Sequence, residues 1–202
     1  MAKTIAIVDY GVGNLLSVQN ALAYIGQRSV ITADAAELAQ ADGIILPGVG
    51  AFADAAERLQ RSGLVKPLQE PNEQKPLLGI CLGMQLLFDG SQEGRSVAGL
   101  GLISGTAELI QTAEKLPQIG WNALEIMDDA RLFQGLDQGA YVYFVHSYHC
   151  VPADKTTVAA ICDYGTPVCA AVQQGNCFGT QFHPEKSGEV GLHILKNFGA
   201  LL

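Results

Sequence analysis

Apolar and polar positions along the first ninety residues follow two alternating rhythms. Lys3 to Val8 is apolar almost throughout, as a strand covered on both faces would be, and it runs into Asp9-Tyr10-Gly11-Val12-Gly13-Asn14. Leu15, Val18, Leu22 and Ile25 then fall on one helical face, with Asn14 placed to cap that helix and Gly26 to end it. Ser29 to Thr32 reads as a second strand, and Asp34-Ala35-Ala36-Glu37 as a capping box. A third strand, Gly43 to Leu46, ends in Pro47-Gly48-Val49-Gly50, and a helix from Phe52 to about Gln60 follows. Leu77, Leu78 and Ile80 make a fourth short strand, after which Met84, Leu87 and Phe88 recur at helical intervals. This alternation predicts an α/β fold, a mostly parallel sheet with helices on both faces and functional loops at the C-terminal ends of the strands. From Gly101 onward, β-branched and aromatic runs separated by Gly, Asp and Pro predict a β-rich second half, closed by an amphipathic helix from Gly191 to Leu202.

The break in Gly79-Ile80-Cys81-Leu82-Gly83 places Cys81 on a strand-to-helix corner. A corner that sharp drives its central residue toward positive φ, while glycines two residues to either side let neighbouring backbone pass close. The thiol is then presented outward at the first turn of a helix, where unpaired N–H groups favour an anion. A small buried packing cysteine is the competing reading.

Composition narrows the chemistry. A chain of 202 residues, nearly half of them apolar, suits one domain over residues 1–202 with a full core. The net charge of −8 and the lack of a Lys/Arg cluster argue against a nucleic-acid partner. The N-terminal apolar run is broken by Asp9, and no stretch approaches the roughly 18 apolar residues of a membrane span. A cytoplasmic protein without membrane contact is expected. Cysteines 81, 150, 162, 169 and 177 are odd in number and lack CxxC spacing, so neither a disulfide framework nor a zinc ribbon is expected.

A cysteine nucleophile needs a base and an orienting group. His183-Pro184-Glu185 follows an apolar strand-like run, Asn176 to Phe182, and residues two apart in an extended segment point the same way. His183 can take the Cys81 proton and return it to a leaving amine, with Glu185 fixing the imidazole tautomer; an ordinary turn is the bland alternative. His146 and His149 lie on opposite faces of a strand, no other ligand completes a metal site, and His193 reads as a surface or packing residue. For the oxyanion, the N–H of Leu82 is one candidate donor. The Pro47-Gly48-Val49-Gly50 loop, with Val49 between two glycines, is the other, since its peptide plane is free to adopt or flip into the required orientation. Gly48-Val49-Gly50-Ala51-Phe52-Ala53 also fits G-x-G-x-x-A, but no acidic residue ends a second strand at the required distance, so no dinucleotide and no other cofactor is expected.

Gly79-Ile80-Cys81-Leu82-Gly83-Met84-Gln85 together with Phe182-His183-Pro184-Glu185 resembles the triad, or class I, glutamine amidotransferases, in which cysteine, histidine and glutamate follow in that order. The resemblance covers essentially the whole chain and implies a flavodoxin-like fold. Asp9-Tyr10-Gly11, Gly13-Asn14, Pro47 to Phe52, Ile119-Gly120-Trp121-Asn122 and Phe144-Val145-His146-Ser147-Tyr148 are similar to the glutaminase subunits of imidazole glycerol phosphate synthases. Val49 favours that branch over anthranilate and GMP synthase amidotransferases, which usually carry Pro-Gly-Pro-Gly. Gln118-Ile119 departs from the His-Met that many members show there.

The resemblance implies hydrolysis of L-glutamine through a glutamyl thioester on Cys81, with Gly48, Gly50, Gln85, Glu93, Ser147 and Tyr148 around the substrate. It also implies a heterodimer with a (β/α)₈-barrel cyclase, faced by Asn14, Trp121 and Lys186, that uses the ammonia to make imidazole glycerol phosphate and AICAR. Other readings are a different class I amidotransferase subunit, a flavodoxin-like cysteine hydrolase, which often has histidine where Leu82 stands, and a catalytically silent platform.

Overall fold

The computed structural model describes residues 3–70, 75–95 and 97–202. In chain order the regular elements are β1 (Thr4–Val8), α1 (Leu15–Tyr24), β2 (Arg28–Thr32), α2 (Ala35–Gln40), β3 (Gly43–Gly48), α3 (Phe52–Ser62), α4 (Val65–Gln69), β4 (Leu77–Cys81) and α5 (Leu82–Leu86). The second half follows with β5 (Phe88–Ser91), β6 (Ile103–Leu109), β7 (Gln118–Ala123), β8 (Glu125–Ile126), β9 (Tyr141–His146), β10 (Tyr148–Pro152), β11 (Val158–Asp163), β12 (Pro167–Gln174), β13 (Cys177–Thr180) and α6 (Gly188–Ala200).

An eight-stranded sheet in the order β2-β1-β3-β4-β13-β12-β11-β8 forms the centre. Its first five strands run parallel, and β12, β11 and β8 extend it antiparallel. Both faces are covered, which is why its strands are apolar without alternation. Ile5 and Ile7 of β1 pack in one core with Val18 and Leu22 of α1 and Ile194, Leu195 and Phe198 of α6. Ala6 and Val8, on the opposite face, join Leu38 of α2, Phe52 and Leu59 of α3 and Leu68 of α4. A three-stranded sheet (β10-β6-β5) and a two-stranded ribbon (β7-β9) complete the β-rich second half.

Several expectations need correcting. Asn14 precedes α1, but its side chain makes no cap hydrogen bond. Asp34 does cap α2, accepting from the Ala36 N–H, whereas its own N–H donates to Thr32 Oγ1, so no capping box with Glu37 is needed. Helix α5 stops at Leu86, and Phe88 opens a strand. The apolar run Leu86-Leu87-Phe88 fits either periodicity, and pairing of Phe88 with Ile103 decides it. Helix α6 begins at Gly188, three residues before the expected start.

The parallel strands bring the loops after β3 and β4 together, with Gly48 opposite Cys81 in the register. That approach is very close. A Cβ at Gly83 would overlap the carbonyl oxygen of Leu46, and one at Gly79 would lie 2.6 Å from the carbonyl oxygen of Gly83. Both obstacles are backbone and have no rotamer to yield. Gly83→Ala is therefore expected to cost about 3 kcal/mol or more, lowering the melting temperature by roughly 6 °C or more. Gly63→Ala, where φ is +75° but nothing lies within 4 Å, is expected to cost only about 1 kcal/mol. Equal shifts in thermal melts of the two variants would show that the close approach is not what excludes a side chain at Gly83.

Candidate active site

Cys81 has φ 56° and ψ −111°, and it is the one non-glycine residue with positive φ among the described residues. Such a conformation costs on the order of 1–3 kcal/mol, and it persists because buried β4 and α5 hold both sides of the corner. The sulfur is not open to solvent. Cys81 is 7% exposed and lies on the floor of a cleft.

His183 lines the same cleft, and its Nδ1 lies 2.8 Å from Glu185 Oε1. The pairing does not use an extended segment throughout. His183 is extended, but Pro184–Lys186 forms a 3-10 turn that brings Glu185 back beneath the ring. Ser187 fixes this turn by donating from its hydroxyl to the His183 carbonyl at 2.7 Å and accepting from the Tyr143 N–H at 3.0 Å. Burial by itself disfavours the imidazolium, but interactions with Cys81 and Glu185 outweigh it and carry His183 from the ordinary 6.5 up to about 9. The geometry therefore favours a protonated imidazole beside the sulfur, held in one orientation by a carboxylate whose side chain is 1% exposed.

Of the other residues singled out in the sequence, Val49, Gly50, Leu82, Gln85, Glu93, Ser147, Tyr148 and Lys186 line this cleft. Gly48 does not. It lies beneath the loop, where a Cβ would meet Tyr10 Oη at 2.8 Å and the Gly83 nitrogen at 2.9 Å. Trp121 stands apart on the β7-β9 ribbon, 53% exposed and edge-on to Tyr143. Asn14 is half-buried ahead of α1, outside the cleft lining. His146 and His149 fall in different strands, β9 and β10, with the chain turning between them at Ser147. His193 lies 2.8 Å from the Gln134 carbonyl through Nε2.

The contacts of buried Tyr10, His146 and Gln181 and the loop contact of Glu93 escaped the sequence reading. Tyr10 donates its hydroxyl to the Pro47 carbonyl at 2.9 Å, and burial, with Cys81 adding to it, raises the phenol well above its usual range. Glu93 accepts the Phe52 N–H at 2.8 Å, so the loop carrying Val49 is tied at both ends. His146 lies 2.8 Å from the Tyr148 carbonyl through Nδ1, and burial, partly offset by that bond, pulls it down to about 4. It is thus a neutral ring donating through Nδ1. Gln181 is wholly buried against Cys81. Each makes its contact with a residue distant in sequence or through the fold of a neighbouring loop, which sequence alone cannot separate from an ordinary satisfied polar residue.

The description of the class I glutamine amidotransferases matches residues 6–201, and the chain belongs to that family. Two solved structures share the fold. A glutamine amidotransferase aligns with TM-score 0.75 and 20% identity over 96% of this chain and 98% of that one. PurLQS from Thermotoga maritima aligns with TM-score 0.76 and 23% identity over 98% of both. Relatives nearer in sequence carry one name, imidazole glycerol phosphate synthase subunit HisH. That of Moorella thermoacetica is 50% identical over 99% of this chain and 96% of its own. That of Syntrophotalea carbinolica is 50% identical over 96% of this chain and 98% of its own.

Because the folded protein holds the His183 proton more tightly than the unfolded chain, the resulting stabilisation is complete below about pH 6.5 and is lost as pH rises through about 9. Replacing Cys81 with Ala removes one of the two partners that raise it. The imidazole titration followed by NMR is expected to fall by about one unit or more in that variant. An unchanged midpoint would assign the whole rise to Glu185.

Proposed function

We propose that this chain is the glutaminase subunit of an imidazole glycerol phosphate synthase, one amidotransferase domain that hydrolyses L-glutamine and passes ammonia to a cyclase subunit. The observation that carries this reading is a buried His183–Glu185 pair, with Nδ1 and Oε1 2.8 Å apart, in the same cleft as a cysteine held at positive φ. Half-identity over nearly the full length to HisH subunits supports the particular synthase.

The thiolate of Cys81 attacks the side-chain amide carbon of glutamine, and the carbonyl π-electrons move onto oxygen. Backbone N–H groups of Leu82 and Val49, residues that line the same cleft as Cys81, stabilise that oxyanion; one such donor is worth roughly 10²–10³ in rate. As the intermediate collapses, the C–N bond breaks and imidazolium His183 protonates the departing nitrogen, leaving ammonia and a glutamyl thioester. A water then attacks the thioester and gives His183 its proton. Glutamate leaves, and sulfur takes back the electron pair. Glu185 keeps Nδ1 protonated throughout, so that Nε2 alone exchanges protons with the reacting atoms. Gly48 supports the oxyanion loop from below, while Gly50, Gln85, Glu93, Ser147 and Tyr148 hold the amino-acid end of the substrate.

The partner of this reading is a (β/α)₈-barrel cyclase. Ile119, Trp121 and Tyr141 expose large apolar side chains on one face of the β7-β9 ribbon, and Val145 of the same ribbon lines the cleft together with Lys186. An exposed apolar face of this kind suits a protein interface. Asn14, Trp121 and Lys186 are assigned to it. Among the described residues, no helix is long and apolar enough to cross a membrane, and the reading places the enzyme in the cytoplasm.

The test uses the reconstituted complex. Cys81→Ala is expected to abolish synthesis driven by glutamine, a loss of about 10⁴-fold or more, while synthesis driven by added ammonia continues at the wild-type rate. Glutamine turnover that survives in Cys81→Ala would remove this cysteine from the mechanism.

A further inference from the structure

Gln181 lies two residues before His183 in the bend that follows β13, both side chains reach Cys81, and Gln85 lies one helical turn after Cys81. The fold brings these pairs together. Gln181 is wholly buried, and a buried carboxamide needs partners for its oxygen and its N–H groups. Its Nε2 lies 3.7 Å from Cys81 Sγ, and its Oε1 accepts from Gln85 Nε2 at 3.2 Å. Gln85 Nε2 also donates to the Tyr148 carbonyl at 3.0 Å, and the same oxygen receives His146 Nδ1–H at 2.8 Å.

The direction of this chain is set by its one group that cannot be reversed. A backbone carbonyl only accepts, so Gln85 must turn its NH₂ toward Tyr148, and the second hydrogen of that NH₂ needs another acceptor. Gln181 Oε1 supplies it, which turns the Gln181 NH₂ to the sulfur. Flipping Gln181 would oppose two NH₂ groups and set an oxygen against the nucleophile. The order His146, Tyr148 carbonyl, Gln85, Gln181, Cys81 is therefore self-consistent in one sense only, and it leaves Gln85 Oε1 unused by the chain at the cleft.

We propose, on the basis of the glutaminase reading above, that Gln181 is a positioning residue for that reaction. Its N–H steadies the Cys81 sulfur as an anion opposite His183, and its oxygen orients Gln85 toward the substrate's amino-acid end. A hydrogen bond to sulfur strengthens as negative charge gathers there, so the interaction favours the attacking thiolate over the neutral thiol. Because both functions pass through one carboxamide, losing it affects nucleophile and substrate register together.

The experiment compares wild type, Gln181→Met and Gln181→Glu in complex with the cyclase. It reads glutamine turnover, the pH dependence of iodoacetamide alkylation at Cys81, melting temperature and complex formation by gel filtration. Gln181→Met keeps side-chain length without polar atoms, and kcat is expected to fall about 10–100-fold. The alkylation midpoint is expected to move up by about one pH unit. Gln181→Glu keeps an acceptor for Gln85 but sets an oxygen against the sulfur, and its alkylation midpoint is expected to move up at least as far. A wild-type alkylation profile in either folded variant, even with a lowered melting temperature, would reduce Gln181 to a structural residue and overturn the proposal. Absence of glutamine turnover in the wild-type complex would instead overturn the glutaminase reading.

Discussion

The backbone of β3 passes so close to the first turn of α5 that a side chain at Gly83 would overlap the Leu46 carbonyl, and a side chain at Gly48 would crowd Gly83 and Tyr10. That approach leaves the chain no wide turn between β4 and α5. Cys81 takes the corner at φ 56°, and the Gly48–Cys81 register brings Val49 and Gly50 into the same cleft as Cys81. Cys81 and the candidate oxyanion donors are thus placed by one backbone contact. The strain of the corner, on the order of 1–3 kcal/mol, is small beside the burial of β3, β4 and the apolar face of α5 that sustains it.

Around this corner the protein buries polar groups that would be costly without partners. His183 is paired with Glu185 and its turn is fastened by Ser187. Gln85 and Gln181 satisfy one another and reach Tyr148 and Cys81. The loop after β3 is held at Pro47 by Tyr10 and at Phe52 by Glu93. Between these anchors Gly48 is fixed in β3, and Val49 and Gly50 line the cleft.

Much of this was legible in the chain because the signals are local. The Gly79-x-Cys81-x-Gly83 spacing marks a corner that few other residues tolerate, and His183-Pro184-Glu185 sets imidazole and carboxylate close together in sequence, although the pairing uses a 3-10 turn and not the expected extended segment. The parallel sheet followed from strands without alternation. What was not legible depends on distant partners. Gln181 sits 96 residues from Gln85 and 100 from Cys81, and nothing nearby distinguishes it from a glutamine at a strand end. Helix α5 looked longer because Leu87 and Phe88 satisfy a helical period, and only pairing with β6 makes Phe88 a strand residue. Asp34 caps alone because Thr32, outside the expected motif, takes up its N–H. Gly48 looked like part of the substrate wall, but it is a glycine because the β3–α5 contact leaves no room for anything else.

The central claim is that the strained cysteine is the nucleophile, and it is tested most directly by its covalent intermediate. Acid quenching of the glutamine-saturated complex with its cyclase, followed by mass spectrometry of the cysteine-containing peptides, is predicted to find a glutamyl adduct on Cys81 and none on Cys150, Cys162, Cys169 or Cys177. Glutamine turnover with no adduct on Cys81, or with the adduct on another cysteine, would contradict the account.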